Sequence, residues 1–178
     1  MRHDEEYAAM RATIRERGTA RMVLLPLVFI GWAGTAIATA AVITVALSTL
    51  VPLMVLVAGF EAIFALHINV ERLGRYLQVF HETDGGWEHV AMRFGQRFPA
   101  TGPDPLFGRI FILATSVNYL PAALGGQTIE LVVLAVLHLA FINRIRVARA
   151  VASRQRAQDL ERFTALRDEG IQKLEARS

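Results

Sequence analysis

The sequence predicts an all-α integral membrane protein with four transmembrane helices in two hairpins, cytoplasmic amphipathic helices and a long C-terminal helix. Two observations predict this fold class. Four apolar stretches occur, and each is long enough, or nearly long enough, to cross about 30 Å of hydrocarbon. All 19 Arg and Lys residues fall outside these stretches, in three segments that the apolar runs separate. The four predicted spans are residues 22–47, 51–70, 110–124 and 129–142.

The placement of basic residues also predicts the orientation. Residues 1–21, 71–109 and 143–178 contain the basic side chains, whereas the short connections on the other face contain none. By the positive-inside rule the basic face is the cytoplasm, so both termini are expected there. We therefore expect one membrane domain, residues 1–178, in a bacterial inner membrane, with no catalytic or ligand-binding domain outside.

Composition narrows the function classes further. The chain is 53% hydrophobic and still 20% charged, as expected for an apolar bundle with polar cytoplasmic extensions. It contains no cysteine, which excludes thiolate nucleophiles, disulfides and iron–sulfur clusters. The net charge of +3 comes mainly from residues 143–178. We expect these arginines to bind anionic lipid headgroups, and we expect no nucleic-acid partner.

The first helices follow from residue type and spacing. Residues 1–21 favour a lead-in helix, interrupted at Gly18 just before the membrane. Within the first span Gly31, Thr35 and Thr39 recur every four residues, a spacing that lets helix backbones approach closely. We expect this small-residue face to pack against the second span, and a homodimer contact is the alternative.

The second helix is expected to begin near Pro52 and to end before Asp84. The next segment carries aromatic residues at helical spacing together with arginines, which suits a helix lying in the headgroup layer. Its aromatic residues include Trp87, Phe94 and Phe98.

The third span is expected to end near Gly125, and the fourth to begin near Thr128, with Glu130 in its first turn. Beyond it, the C-terminal helix carries a stripe of apolar residues on one side: Leu160, Phe163, Ile171 and Leu174. Such a stripe needs a partner, which can be another copy, another subunit or this chain's own cytoplasmic helices. We expect a homo-oligomer or a subunit of a larger membrane complex.

Polar residues inside the predicted spans are few, and they are the candidates for chemistry. Glu61 lies near the middle of the second span, where a carboxylate costs about 3 kcal/mol. It forms either an ion or proton site, or a structural hydrogen bond to Thr or Ser groups of other helices. Asn118 and Glu130 are the other intramembrane polar candidates of the third and fourth spans.

Two histidines at similar depth, His67 and His138, could ligate a haem from two helices. The alternative for His67 is a polar pair with Glu71, one turn later. Zinc would need two further ligands, and the chain contains no phosphate-binding loop, dinucleotide motif, metalloprotease motif or nucleophile elbow. We expect no cofactor, no metal and no enzymatic activity.

Three classes of function fit these features. The first is a non-catalytic membrane subunit or scaffold that packs in the bilayer and presents cytoplasmic helices to partner subunits. The second is a small oligomeric transporter or channel that uses Glu61, and the third is a bis-histidine haem or quinone-binding electron carrier. The first accounts for the most features, because the polar residues of the spans are too sparse to line a pathway.

Overall fold

A computed structural model of the chain describes residues 2–42, 45–98 and 104–176, with side chains from residue 4 onward. Of the residues described, 91% are helical and none is in a strand, which confirms the all-α class. Five α-helices and one short 3-10 turn (Ala46–Thr49) make up this part of the chain. The helices are α1 (Arg2–Val42), α2 (Leu50–Phe80), α3 (Trp87–Arg97), α4 (Gly108–Gly125) and α5 (Thr128–Glu175).

Three segments are long and apolar enough to cross a membrane, namely α1, the turn with α2 (Ala46–Phe80), and α5. This finding is consistent with a membrane protein. The third predicted span is also helical, as the 18-residue α4, but α4 is not among the three candidates. The four-span count and the hairpin arrangement therefore stay predictions.

Two of the long helices are more continuous than the sequence predicted. The lead-in helix and the first span form one helix of 41 residues, so the expected interruption at Gly18 is wrong. A glycine in a helix costs only about 1 kcal/mol relative to alanine, and the neighbouring Thr19 hydroxyl donates to the carbonyl of Arg15. Likewise α5 joins the fourth predicted span to the C-terminal helix over 48 residues.

The chain divides into two compact units. The polar unit comprises Met1–Thr19, Leu66–Pro103 and Ala150–Ser178, and the apolar unit comprises Ala20–Ala65 and Asp104–Arg149. The division follows the alternation of charged and apolar segments in the sequence. The prediction of a single membrane domain over residues 1–178 stays a prediction.

The core of the apolar unit is built around Phe60, which is fully buried in α2. Its ring lies edge-on to Phe111 of α4 and Phe141 of α5, with ring centroids 5.3 Å and 5.9 Å away. Close helix packing occurs at Gly59, where a Cβ atom would overlap the side chain of Val28 in α1. Aromatic packing and this glycine contact thus hold α1, α2, α4 and α5 together within the unit.

The polar unit has little buried apolar surface and relies on aromatic and ionic contacts. Leu77 of α2 and Ala152 of α5 are buried. Phe163 of α5 packs edge-on against Tyr76 and Phe80 of α2, with centroids 5.6 Å and 6.3 Å apart. These contacts place the middle of the C-terminal helix against α2.

Candidate functional sites

A cluster of neutral polar groups lies in the apolar unit, around Asn118 of α4. The Trp32 indole N–H of α1 donates to Asn118 Oδ1 at 3.1 Å. The Asn118 amide Nδ2 donates to the backbone carbonyl of Thr49 at 2.9 Å and lies 3.0 Å from His138 Nε2. His138 Nδ1 is 2.7 Å from the carbonyl oxygen of Leu134. One amide thus connects α1, the turn before α2, α4 and α5.

The hydrogen bonds of this cluster determine the protonation of His138. The Trp32 N–H can only donate, so Asn118 must present its oxygen there and its NH₂ group to His138. The Leu134 carbonyl can only accept, so the ring proton is on Nδ1 and Nε2 accepts. His138 is therefore a neutral imidazole with both nitrogens in use. Iron ligation by this residue would require the ring to give up one of these hydrogen bonds.

A cavity of about 580 Å³ opens beside this cluster. Its wall includes Trp32, Thr49 and Asn118, and small residues of α1 supply much of the remainder. No lining residue is charged. The cavity size falls within the range of small-molecule sites, but Trp32, Thr49 and Asn118 at its wall already form hydrogen bonds to protein atoms.

Glu61 pairs with an arginine, a partner that neither interpretation of the sequence considered. Arg144 Nη2 of α5 lies 2.8 Å from Glu61 Oε2. The guanidinium also stacks over the ring of Phe64, 4.5 Å from its centroid. The pair is partly accessible, with 42% of the Glu61 side chain exposed. The charge of the Glu61 carboxylate is thus compensated by Arg144, and the ring of Phe64 stabilises the guanidinium.

The other polar candidates occupy distinct positions. Glu130 accepts a hydrogen bond from the Gln127 N–H at 3.2 Å and so caps the start of α5. His67 is buried in the polar unit, while its neighbour Glu71 forms an ion pair with Arg156. Within the described part of the chain, no group of three or more His, Cys, Asp or Glu side chains could hold a metal ion.

The polar unit contains a buried network of charges that the sequence did not reveal. Glu88 of α3 lies between two arginines, at 2.7 Å from Arg11 Nη1 and 3.1 Å from Arg75 Nη2. Arg11 also binds Glu82, 2.6 Å away, and the other oxygen of Glu82 accepts the backbone N–H of Glu88. Glu82 thereby caps α3 and fixes the position of its first turn.

The same network orients α3 with its polar face inward. Glu88, His89 and Met92 contact α2 through Arg75 and Gln78. The opposite face is exposed, and it contains aromatic and aliphatic side chains: Trp87 (68% exposed), Val90 (44%), Phe94 (56%) and Phe98 (46%). The predicted aromatic face is therefore an exposed surface, on which the rings of Phe94 and Phe98 contact each other.

The residues of the small-residue face of α1, Gly31, Thr35 and Thr39, contact different groups. A Cβ on Gly31 would be in ordinary contact with Val55 of α2. The hydroxyls of Thr35 and Thr39 donate to carbonyls of their own helix, at Gly31 and Thr35 respectively. The tighter approach is at Gly59, which the spacing argument on α1 did not consider.

The C-terminal stripe divides into two parts. Leu160 and Phe163 are partly buried, and Phe163 packs on α2 as described above. Ile171 and Leu174 lie on the same helix face further along, but they are 48% and 69% exposed. The chain's own helices thus satisfy only the first half of the stripe.

Sequence reasoning missed three groups of residues. Arg144 was counted among the basic residues of the cytoplasmic segment 143–178, Gly59 was part of an apolar run, and Glu88 and Arg75 were not singled out. A glycine inside the most apolar stretch of α2 was a usable signal for close packing. The charge partners had none, because pairs such as Arg11 and Glu88 are 77 residues apart in the chain.

Comparisons of the chain with models of protein families, with curated proteins and with solved structures found no match.

Proposed function

We propose that the protein is a non-catalytic integral membrane subunit or scaffold that presents helices of its polar unit to partner subunits. In this proposal the chain crosses the membrane four times with both termini in the cytoplasm. The three helices that are long and apolar enough to cross a membrane support the location. The placement of all 19 Arg and Lys residues supports the orientation.

The exposure pattern of α4 supports a fourth crossing. Its 18 residues give a helix about 27 Å long, close to the thickness of the hydrocarbon layer. Its polar residues Thr115 and Asn118 are buried, whereas Leu113, Leu120 and Leu124 are exposed. These two polar residues lower the average hydropathy of α4 from buried positions, and the exposed Arg109 and Ser116 lower it as well. A largely apolar exterior with hydrogen-bonded polar groups inside is what lipid requires of a helix.

The observation that carries the subunit function is the unpaired half of the stripe on α5. The face that packs on Tyr76 and Phe80 through Phe163 continues to Ile171 and Leu174, where it is exposed. Exposed apolar residues in line with an internal packing face are typical of a docking surface. In the apolar unit, in contrast, the cluster of Trp32, Asn118 and His138 is bonded internally.

The test is removal of residues 165–178, a deletion that spares the contacts of Phe163 and of Asp159 with Arg72. We expect the truncated protein to insert normally but to lose its companions, other copies or other subunits, during purification in mild detergent. The matched point variant is Ile171→Asp with Leu174→Asp, and the control is Gln172→Asp on another face. Unchanged mass of the purified particle in all variants would contradict the proposal.

Topology has a separate test because the chain contains no cysteine. Single cysteines at Ser48 and Gln127 should react with a membrane-impermeant reagent from outside, and one at Thr83 should react only after lysis. Labelling of Thr83→Cys from outside would contradict the orientation. This result would leave the docking surface on α5 untouched.

A charged pair among apolar helices favours a second candidate, a small oligomeric transporter or channel that uses Glu61. The partial exposure of Glu61 and Arg144 would allow a solute or proton to reach the carboxylate. Glu61→Gln retains the hydrogen bond to Arg144 but removes the charge. If this variant assembles normally and loses a transport activity in liposomes, the transporter function takes precedence; normal behaviour in both assays supports the structural role.

A further inference from the structure

We propose that α3 is a docking helix for anionic lipid, and that the side chains of Trp87, Val90, Phe94 and Phe98 insert into the headgroup layer. The proposal adds a specific lipid contact to the proposed membrane location, on which it rests. The evidence is the orientation of the helix, the sign of its exposed charge and the way in which it is fixed to α2.

The aromatic face of α3 is exposed, unlike the apolar face of a helix on a water-soluble protein. Such a helix buries its apolar face and exposes its charged face. Here the charged residue Glu88 is buried against Arg75 and Arg11, while Trp87 and Phe94 are more than half exposed. Exposure of this much aromatic surface to water is unfavourable, so we expect the aromatic face to contact lipid or another partner.

The exposed charges of α3 are basic. Glu88 is the one acidic residue of the helix, and it is buried and paired. Arg93 and Arg97 are exposed, and they lie at the edge of the aromatic face. Arg97 extends over the ring of Phe98, with 5.9 Å from Cζ to the ring centroid. Aromatic rings flanked by arginines match a layer of anionic phosphates above hydrocarbon.

Because α3 is attached to α2 by several hydrogen bonds, its aromatic face is held in a fixed position. Glu82 caps the first turn, and contacts of Glu88, His89 and Met92 hold the polar face. The aromatic face is therefore presented before any lipid is present, and binding needs little further ordering of the backbone. A short helix held in this way can follow the membrane surface without crossing it.

The test uses the full chain in vesicles, with an environment-sensitive bimane probe on a single cysteine. Phe94→Cys places the probe on the aromatic face, and Gln96→Cys is the control, an exposed position on another face. Vesicles contain either phosphatidylcholine alone or phosphatidylcholine with phosphatidylglycerol, and a fraction of the lipid carries a nitroxide on the headgroup.

We expect the probe at position 94 to emit at shorter wavelength and to be quenched by the nitroxide several-fold more strongly than the probe at position 96. Phosphatidylglycerol should increase this quenching, and Arg97→Gln should remove the increase, because the variant lacks the cation beside the aromatic face. Arg97 is chosen because Arg93 also donates to the carbonyl of Asp84.

Equal quenching at both positions, with full access to aqueous iodide, would overturn the proposal. Protection of position 94 from iodide without quenching by lipid would also overturn it, in favour of a second copy or another protein on this face. Failure of the protein to float with the vesicles would instead contradict the membrane location itself. Flotation thus separates failure of the proposed function from failure of the lipid contact.

Discussion

The two units of the molecule bury opposite kinds of polar group. The buried polar side chains described in the apolar unit are neutral: Thr49, Thr115, Asn118 and His138. Those in the polar unit include the charged residues Arg75, Glu88 and Asp159. Burying a charge costs several kcal/mol unless partners surround it, whereas an amide or imidazole needs one or two hydrogen bonds. Each unit therefore buries the kind of polar group for which its own residues supply hydrogen-bond or charge partners.

In the described part of the apolar unit, the ion pair between α2 and α5 fits this comparison, because it is not buried. Glu61 and Arg144 keep about two fifths and one third of their side chains exposed, and Arg144 lies on the ring of Phe64. A cation on an aromatic face keeps part of its stabilisation where water is scarce. The charges of this pair thus stay partly exposed.

The largest expected effect is in the charge network of the polar unit. Arg75→Leu leaves Glu88 with Arg11 as its remaining arginine partner and removes the hydrogen bond to Gln78. We expect a loss of about 3 kcal/mol in the stability of the polar unit, measured by proteolysis or hydrogen exchange of α3. The control Arg167→Leu removes an exposed pair with Asp168 and should cost less than about 1 kcal/mol. Equal costs would show that burial does not distinguish the two pairs.

A substitution in the neutral cluster around Asn118 should cost less stability than Arg75→Leu, although the cluster joins four elements. Asn118→Leu leaves the Trp32 N–H, the Thr49 carbonyl and the acceptor nitrogen of His138 without their amide partner. We expect a loss of about 2 kcal/mol in thermal or denaturant unfolding in detergent. Ser116→Ala on the same helix is the control, because its hydroxyl donates to a carbonyl one turn earlier and is exposed. A cost for Asn118→Leu no greater than that of the control would refute this account.

Packing in the apolar unit can be tested without changing any polar group. At Gly59 an added methyl would overlap Val28, so Gly59→Ala should destabilise the unit by about 1–3 kcal/mol. At Gly34 an added methyl meets no atom within 4 Å, so Gly34→Ala should be neutral or slightly stabilising. Unfolding of the two variants in the same detergent gives the comparison, and a stabilised Gly59→Ala would exclude the close contact.

The smallest effect concerns Asp104, which precedes α4. Burial raises the pKa of its carboxyl, but hydrogen bonds from the N–H groups of Leu106 and Gly108 and from Arg149 outweigh burial and lower it. A lowered pKa in the folded state means that the stabilisation is present above the unfolded value, near 3.9, and is lost as pH falls through the folded value. Asp104→Asn should therefore flatten the pH dependence of melting below about pH 4. If the melting temperature of Asp104→Asn changed with pH as steeply as that of the unsubstituted protein, this assignment would be contradicted.

The sequence predicted most of the helices because their signals are local. Apolar runs, the turn at Asp84 to Gly86 and the aromatic periodicity of residues 87–98 all correspond to observed helices or their ends. The continuity of α1 through Gly18 was not predictable from the same signals, since a single glycine is tolerated when tertiary contacts hold the helix. For α4, buried Thr115 and Asn118 together with exposed Arg109 and Ser116 lower the hydropathy of the segment.

The sequence by itself determined the helical class, the separation of charged from apolar segments and the identity of the exceptional polar residues. Only the tertiary structure decided what those residues bind: Arg144 for Glu61, Trp32 and His138 for Asn118, and two arginines for Glu88. The physical reason is that periodicity and hydropathy depend on neighbours within a few turns, whereas these hydrogen bonds and ion pairs join residues 13 to 86 positions apart. The inward polar face of α3 was decided in the same way, by charges on other helices.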